Sequence, residues 1–198
     1  RHMPDKVYIV SEGTPKSSLK INPDYKGNRT KVLDDSFYKQ KKDIFSICEN
    51  LPITFIRHPD FECDDVISHL TVDIHKSDEV IICSSDTDFI QLIDNNVRLW
   101  NPIKKKFIEP WPVDYVVWKS LTGDKTDNVA GIKGVGQKTA LKLASNLDNL
   151  EKFLDKGDNR EIFDNAYLQI KLKKISLNDK TMQEYDYTFR KKNLLEEF

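Results

Sequence analysis

The chain has no run of about 18 apolar residues, so it offers no candidate transmembrane helix. Its opening residues, RHMPDKVYIV, lack the apolar centre of a secretory signal. A Gly-rich phosphate loop of the Walker type is missing, which disfavours nucleotide hydrolysis. Cysteine is scarce: Cys48, Cys63 and Cys83 are scattered and odd in number. That argues against a disulfide framework and reads as reduced core residues of a cytosolic protein. The Asn28-Arg29-Thr30 triplet is then a chance match to a glycosylation signal. The four histidines (His2, His58, His69, His75) show no zinc-binding spacing.

An excess of charge is also missing, the net value being −1 over 198 residues. The neutrality hides clustering. Lysines and arginines gather at 16–42, 104–106, 133–142, 171–174 and 190–192, and acids at 60–65, 86–88 and 124–127. A solvated mixed-charge surface would show this, and so would a protein that holds metal ions close to nucleic acid. The length and apolar content are those of one folded domain, or of one with a small appendage.

Along the chain, strand and helix signals alternate. Residues 7–10 (VYIV) read as a strand and 11–30 as loop. A helix is expected over 34–50, with Phe37, Ile44, Phe45 and Ile47 at helical spacing. A strand at 53–56, a helix over 63–76, a strand at 80–84, a short helix at 89–93 and a strand at 97–100 follow. This alternation predicts an α/β fold with a parallel, doubly wound sheet flanked by helices. From residue 112 the pattern turns helical, over 113–121, 137–146, 149–155 and 159–175. The expected division is an α/β core at 1–111 and a helical region at 112–198.

Three acidic segments carry the chemistry. Glu62, Asp64 and Asp65 open the helix that follows the second strand. A single acid there would be a helix cap. Three within four positions repel one another unless a cation intervenes. Asp86 and Asp88 follow the strand VIICS, where ligands bind in open α/β sheets, although Asp86 or Thr87 could simply cap the short helix. Asp124 and Asp127, three apart, can point the same way from a turn, or can be turn-forming surface residues. Together the seven carboxylates suit a hard divalent cation, Mg²⁺ or Mn²⁺. A pair of such ions can drive phosphodiester hydrolysis.

Directly after Asp127 comes Gly131-Ile132-Lys133-Gly134-Val135-Gly136-Gln137-Lys138-Thr139-Ala140. It reads as a helix-hairpin-helix turn. Its glycines permit close backbone approach, and the N–H groups of the next helix can cradle a phosphate. Lys133, Lys138 and Lys142 add charge without reading sequence. Gly131, Lys133, Gly134, Gly136, Lys138 and Thr139 are therefore the candidate DNA-binding residues.

These strings resemble the 5′ nucleases, namely bacteriophage flap endonuclease/exonucleases and the 5′ nuclease domain of bacterial DNA polymerase I. The matching segments are Asp24-Tyr25-Lys26-Gly27-Asn28-Arg29, ECDD at 62–65, SSDTD at 84–88 and GDKTDNVAGIKGVGQKTA at 123–140. They stand in the family's order. The resemblance implies a PIN-like sheet and a structure-specific 5′-3′ exonuclease or flap endonuclease. It assigns the seven carboxylates to two Mg²⁺ or Mn²⁺ ions, and Lys26 and Arg29 to the scissile phosphate. It adds K⁺ at the hairpin. Implied substrates are DNA with 5′ flaps or 5′ ends, including RNA primers in hybrids, during replication and repair.

The resemblance also implies that the family's first strand, with its aspartate, is absent here, VYIV matching the second strand. Glu12 is a candidate to supply a further carboxylate beside VYIV. Two rival readings are a catalytically incomplete branched-DNA-binding protein and a PIN-type ribonuclease, the second disfavoured by the hairpin. The segment 31–42 reads either as a basic helix over the site or as an amphipathic helix on the core. The helices of 145–198 are expected to complete the core, with 171–174 a solvated face. The tail at 194–198 suggests a clamp or single-strand-binding protein as partner. A monomer is expected, without membrane association, in the cytoplasm of a bacterium or of a phage-infected host.

Overall fold

The computed structural model describes residues 2–14, 16–27, 34–48 and 51–175 and, for the backbone alone, 183–186. Arg29, the rest of the Asn28-Arg29-Thr30 triplet, the 190–192 basic run and the tail 194–198 lie outside the described residues. In chain order the first elements are β1 (Tyr8–Ser11), α1 (Lys16–Ile21), α2 (Asp35–Cys48), β2 (Thr54–Arg57) and α3 (Cys63–His69). Helix α3 runs on as a wider π-helical stretch, Leu70–Ile74. There follow β3 (Val80–Cys83), a 3₁₀ turn at Asp88–Leu92, β4 (Val97–Asn101) and β5 (Lys106–Ile108). The remainder is α4 (Tyr115–Thr122), α5 (Gln137–Ala144), α6 (Leu147–Leu154), α7 (Asn159–Ile170) and β6 (Gln183–Asp186).

The strands form two three-stranded sheets, ordered β1-β2-β6 and β3-β4-β5. Each holds one parallel pair, β1 with β2 and β3 with β4, joined through helical crossovers as alternating strand and helix requires. Each also carries an antiparallel strand that the sequence pattern did not reveal. Strand β5 returns from β4 through a tight turn, in which Asn101 Oδ1 accepts from the N–H groups of Ile103 and Lys104. A connection that short can join only antiparallel strands.

Helix ends follow local chemistry. The Asp114 side chain caps α4 by accepting from Val117 N at 3.0 Å, and Asn146 caps α6 through Asn149 N at 3.0 Å. Helix α4 stops at Gly123, whose φ of +74° suits glycine. Leu121, Ile132, Ala140, Leu150, Leu154 and Phe163 form one core beneath the hairpin. Ile82, Phe89, Ile90, Val97, Leu99 and Tyr115 form another under the second sheet. No helix among the described residues is long and apolar enough to cross a membrane.

Several local expectations are corrected. The stretch 11–30 is not all loop, since it contains α1. Helix α2 meets the core only towards its C-terminal end, through half-buried Phe45, whose ring lies 4.8 Å from that of buried Phe55, and Cys48, its one buried residue among those described, while Phe37, Tyr38, Ile44 and Ile47 are exposed. Its apolar spacing gave the period, but of Phe37, Ile44, Phe45 and Ile47 only Phe45 is covered. Helix α7 ends at Ile170 rather than near 175. Gln91 accepts from Leu172 N and donates to Ile170 O, and Asp65 accepts from Lys173 N, so tertiary bonds capture the backbone in extended form. Lys173 is accordingly turned inward, while Lys171 and Lys174 are exposed. Leu168 is exposed as well. Of the cysteines only Cys48 is buried; Cys63 is half-buried and Cys83 exposed.

Candidate metal centre

The first acidic set stands at the start of α3. Glu62 occupies the N-cap position but makes no capping bond with its side chain, so its carboxylate is left for another use. Glu62 and Asp65 are only 3% and 4% exposed. With Asp64, they bring carboxylate oxygens within 4.8 Å of one another. Burial, and then the charges of Glu62 and Asp65, push the Asp64 carboxyl up to about 7. Burial also raises Asp65, although it accepts from Lys173 N at 2.7 Å. Glu12 lies beside this set, accepting from Cys63 N at 3.3 Å, without belonging to it.

The second set joins Asp88, Asp124 and Asp127, again within 4.8 Å. Asp88 begins the 3₁₀ turn beyond β3. Asp86 belongs to neither set: it is exposed, and its Oδ1 accepts from Asp88 N at 2.9 Å. Thr87 stands at the N-cap of the 3₁₀ turn without a side-chain capping bond, and Asp86, one residue earlier, takes up the N–H of Asp88 instead. Asp124 sits in a loop closed on itself. Its backbone pairs both ways with Val129, and its Oδ1 accepts from Thr126 N at 2.7 Å. The loop is thus shaped by its own hydrogen bonds.

A third element knits the two sets together. Lys26 has φ +56° and Asn128 has φ +59°, a left-handed conformation uncommon outside glycine. The two residues face each other. Lys26 N donates to Asp127 O at 3.2 Å, and Asn128 Nδ2 to Asp24 O at 3.2 Å. This interlock aims the Lys26 ammonium at Glu62, with Asp127 at 4.0 Å. Burial would lower the Lys26 pKa, but the hydrogen bond and charge of Glu62 outweigh it and raise it. Tyr25 bridges the sets, its hydroxyl donating to Glu62 at 3.2 Å with Asp127 at 3.4 Å. All six carboxylates line a single pocket. A donor set made of oxygen alone, and short of positive charge, fits a divalent cation.

The hairpin is fastened to this centre. A Cβ on Gly131 would meet the Thr122 backbone at 2.3 Å, so glycine is required there by packing. Ile132 N donates to Leu121 O at 3.0 Å. Beyond that anchor Lys133, Gly134, Gly136, Lys138 and Thr139 are all exposed. Gly136 begins α5 without a side-chain cap, and a Cβ on it or on Gly134 would meet nothing within 4 Å. The first N–H groups of α5 therefore have no side-chain cap, which suits them to an anion.

Sequence reasoning missed Lys119, which α4 buries to 8% exposure. Its ammonium pairs with Asp88, and with Asp124 at 2.7 Å. Burial opposes its charge, but the two carboxylates outweigh that and hold its pKa above the usual lysine range. The available signal was a lysine on the apolar face of Tyr115-Val116-Val117-Trp118-Lys119-Ser120-Leu121, where a charge needs a partner. Lys173, 3.8 Å from Asp65 and bonded to Ser18, and the bridging Tyr25 were missed too.

Comparison with known proteins gives a consistent picture. Residues 1–118 match the model of the 5′-3′ exonuclease N-terminal resolvase-like domain, and 111–195 that of the 5′-3′ exonuclease C-terminal SAM fold. A 5′-3′ exonuclease of Aquifex aeolicus is 33% identical over 93% of this chain and 66% of its own length. A thermostable DNA polymerase I of Thermus thermophilus is 34% identical over 67% of this chain and 17% of its own. The chain spans 54% of the 5′-3′ exonuclease of Buchnera aphidicola from Schizaphis graminum. Among solved structures, the bacteriophage T5 5′-exonuclease with bound zinc shares the fold, with a TM-score of 0.66 and 21% identity over 85% of this chain and 71% of that one. A T5 flap endonuclease in a complex with DNA and metal ions matches with a TM-score of 0.64 and 22% identity, over the same shares of each chain.

Proposed function

We propose, since this chain belongs to the 5′-3′ exonuclease family, that it is a structure-specific 5′ nuclease hydrolysing DNA phosphodiesters at 5′ flaps or 5′ ends. The observation that carries this is the single pocket lined by six carboxylates and anchored to an exposed glycine-rich hairpin. Glu62, Asp64 and Asp65 would hold one Mg²⁺ or Mn²⁺, and Asp88, Asp124 and Asp127 a second. Asp86 supports Asp88 through its N–H. Such cations activate water and stabilise charge on the leaving oxygen.

The chain's own residues do the rest. Lys133, Lys138, Thr139 and the N–H groups after Gly136 receive the duplex backbone, with K⁺ as an additional counter-ion there. Lys26, with Arg29, orients the phosphate to be cut. Tyr25 fixes Glu62 against Asp127 and keeps the two sets in register. The division into a nuclease core at 1–111 and a hairpin-bearing region at 112–198 draws on the helical run α4 to α7, with β6 returning from the second part to pair with β2. The role that fits is primer or flap removal, RNA primers in hybrids included, by a cytoplasmic monomer. A clamp or single-strand-binding protein is the kind of partner such work calls for.

The test is cleavage of a 5′-labelled flap duplex with Mg²⁺ or Mn²⁺, comparing this chain with Asp124→Ala and Asp86→Ala. Cutting near the junction should fall at least about 10³-fold in Asp124→Ala, while flap binding persists. Asp86→Ala, outside both sets, should lose less, and full activity in Asp124→Ala would refute the carboxylate assignment.

A further inference from the structure

The Asp88–Asp124–Asp127 set already contains a cation of the protein's own. We infer that Lys119 is a resident counter-ion of this set, which a divalent cation must displace before it can bind there. The inference rests on the metal-binding reading given above.

Lys119 reaches the set from inside α4. Its ammonium contacts Asp88, which belongs to the second sheet's crossover, and lies 2.7 Å from Asp124 Oδ2, in the loop after α4. It therefore ties two of the three carboxylates together across separate elements. All three are at most half-exposed, and buried carboxylates that lack a partner are strongly disfavoured. The set can consequently be assembled, with its loop bonds intact, before any metal arrives. A dication held by the same oxygens would sit in contact with the ammonium. Two positive charges at that separation in a half-buried site repel strongly, so one must leave.

The first set is arranged differently. Within this set Lys26 pairs with Glu62, its ammonium standing 4.0 Å from Asp127 of the other set, Lys173 stands 3.8 Å from Asp65, and no described lysine or arginine forms an ion pair with Asp64. No ammonium bridges two of its carboxylates as Lys119 does in the second set. The two sets should load unequally, the Glu62–Asp64–Asp65 set first. The Asp88–Asp124–Asp127 set fills second, against Lys119. Filling it would release a positive charge into the pocket beside the position proposed for the phosphate. Lys119 is thus a positioning residue whose place changes with metal occupancy.

The experiment is calorimetric titration of the full chain with Mn²⁺ alone, comparing wild type with Lys119→Met. The expected result is two binding events in wild type, with the weaker one tightened at least about tenfold in the variant, or about 1.4 kcal/mol, and the stronger one unchanged. Equal titrations of the two proteins would overturn the inference while leaving the metal reading standing. No Mn²⁺ binding to either protein would sink the metal reading itself. If Lys119→Met fails to fold, acetylation of Lys119 in wild type, followed by mass spectrometry, decides the matter. The rate should rise several-fold on Mn²⁺ saturation, and an unchanged rate would overturn the inference.

Discussion

Replacing Asp64 by asparagine removes a charge while nearly preserving shape, and the structure says that the metal-free protein should gain stability from it. Burial and the neighbouring Glu62 and Asp65 hold the folded Asp64 pKa at about 7, against an ordinary value of 3.8. The folded state therefore keeps a proton that the unfolded chain has already lost between about pH 4 and about pH 7. Asp64's contribution to stability is fully present below the lower value and disappears as pH rises through the upper one. Each pH unit of difference is worth about 1.4 kcal/mol, so the ceiling at pH 8 is about 4 kcal/mol. Some repulsion will relax in solution, so Asp64→Asn should be about 2–4 kcal/mol more stable than wild type at pH 8 and gain less than about half of that at pH 5. Urea unfolding with a chelator present, at both pH values, measures this directly. A variant that is no more stable at pH 8, or that gains more at pH 5, would refute the reasoning. With saturating Mn²⁺ the order should reverse, because a bound cation stabilises the state that holds it and wild type holds it better.

Two further substitutions separate what the fold needs from what the proposed function needs. Gly131→Ala should cost more than about 3 kcal/mol, because its Cβ would fall 2.3 Å from the Thr122 backbone, whereas Gly136→Ala should stay within about 0.5 kcal/mol and instead weaken duplex binding. Thermal unfolding and a duplex-binding titration on the same samples check both, and unweakened duplex binding by Gly136→Ala would count against the hairpin as the contact. Leu121→Ala, at a fully buried core position, should lose about 2–5 kcal/mol by denaturant unfolding. A loss below about 1 kcal/mol there would mean that the α4–α5 core is not the scaffold described.

Legibility differed by the kind of signal. The parallel pairs β1-β2 and β3-β4 and the helices α3 to α6 were readable because short apolar runs and 3.6-residue spacing report local preference. Strands β5 and β6 were not. One is three residues long and the other pairs with β2 over more than a hundred residues of separation, which no local window contains. Helix α7 was read too long because what stops it is Gln91 and Asp65, far off in sequence. Six of the seven predicted carboxylates converge, since acids crowded at strand ends and helix starts need a reason to be there. Asp86 does not join them: it is exposed, and its carboxylate accepts from the N–H of Asp88 instead. The cationic side of the centre was the least visible. Lys119 and Lys173 sit in stretches where lysine is ordinarily solvated, and only tertiary placement shows which carboxylates they face.

That cationic side also explains why the centre can exist without metal. Six carboxylates share the pocket, and three ammonium groups, of Lys26, Lys119 and Lys173, lie within 4.0 Å of one or more of them. Against these three lysines the six carboxylates fall three positive charges short, or two when Asp64 keeps its proton. A cluster balanced by its own lysines would have no use for a cation, and one with no lysines would resist folding. The intermediate state is what a metal centre requires: enough internal charge to fold, and a deficit that a divalent cation can fill. The backbone enforces this compromise. Lys26 and Asn128 in left-handed conformations, Gly123 and Gly131 in close contact and the self-bonded Asp124 loop hold the acids together by geometry as well as by the attraction of the lysines. The cores of α4 to α7 and of the second sheet supply the stability that offsets this strain.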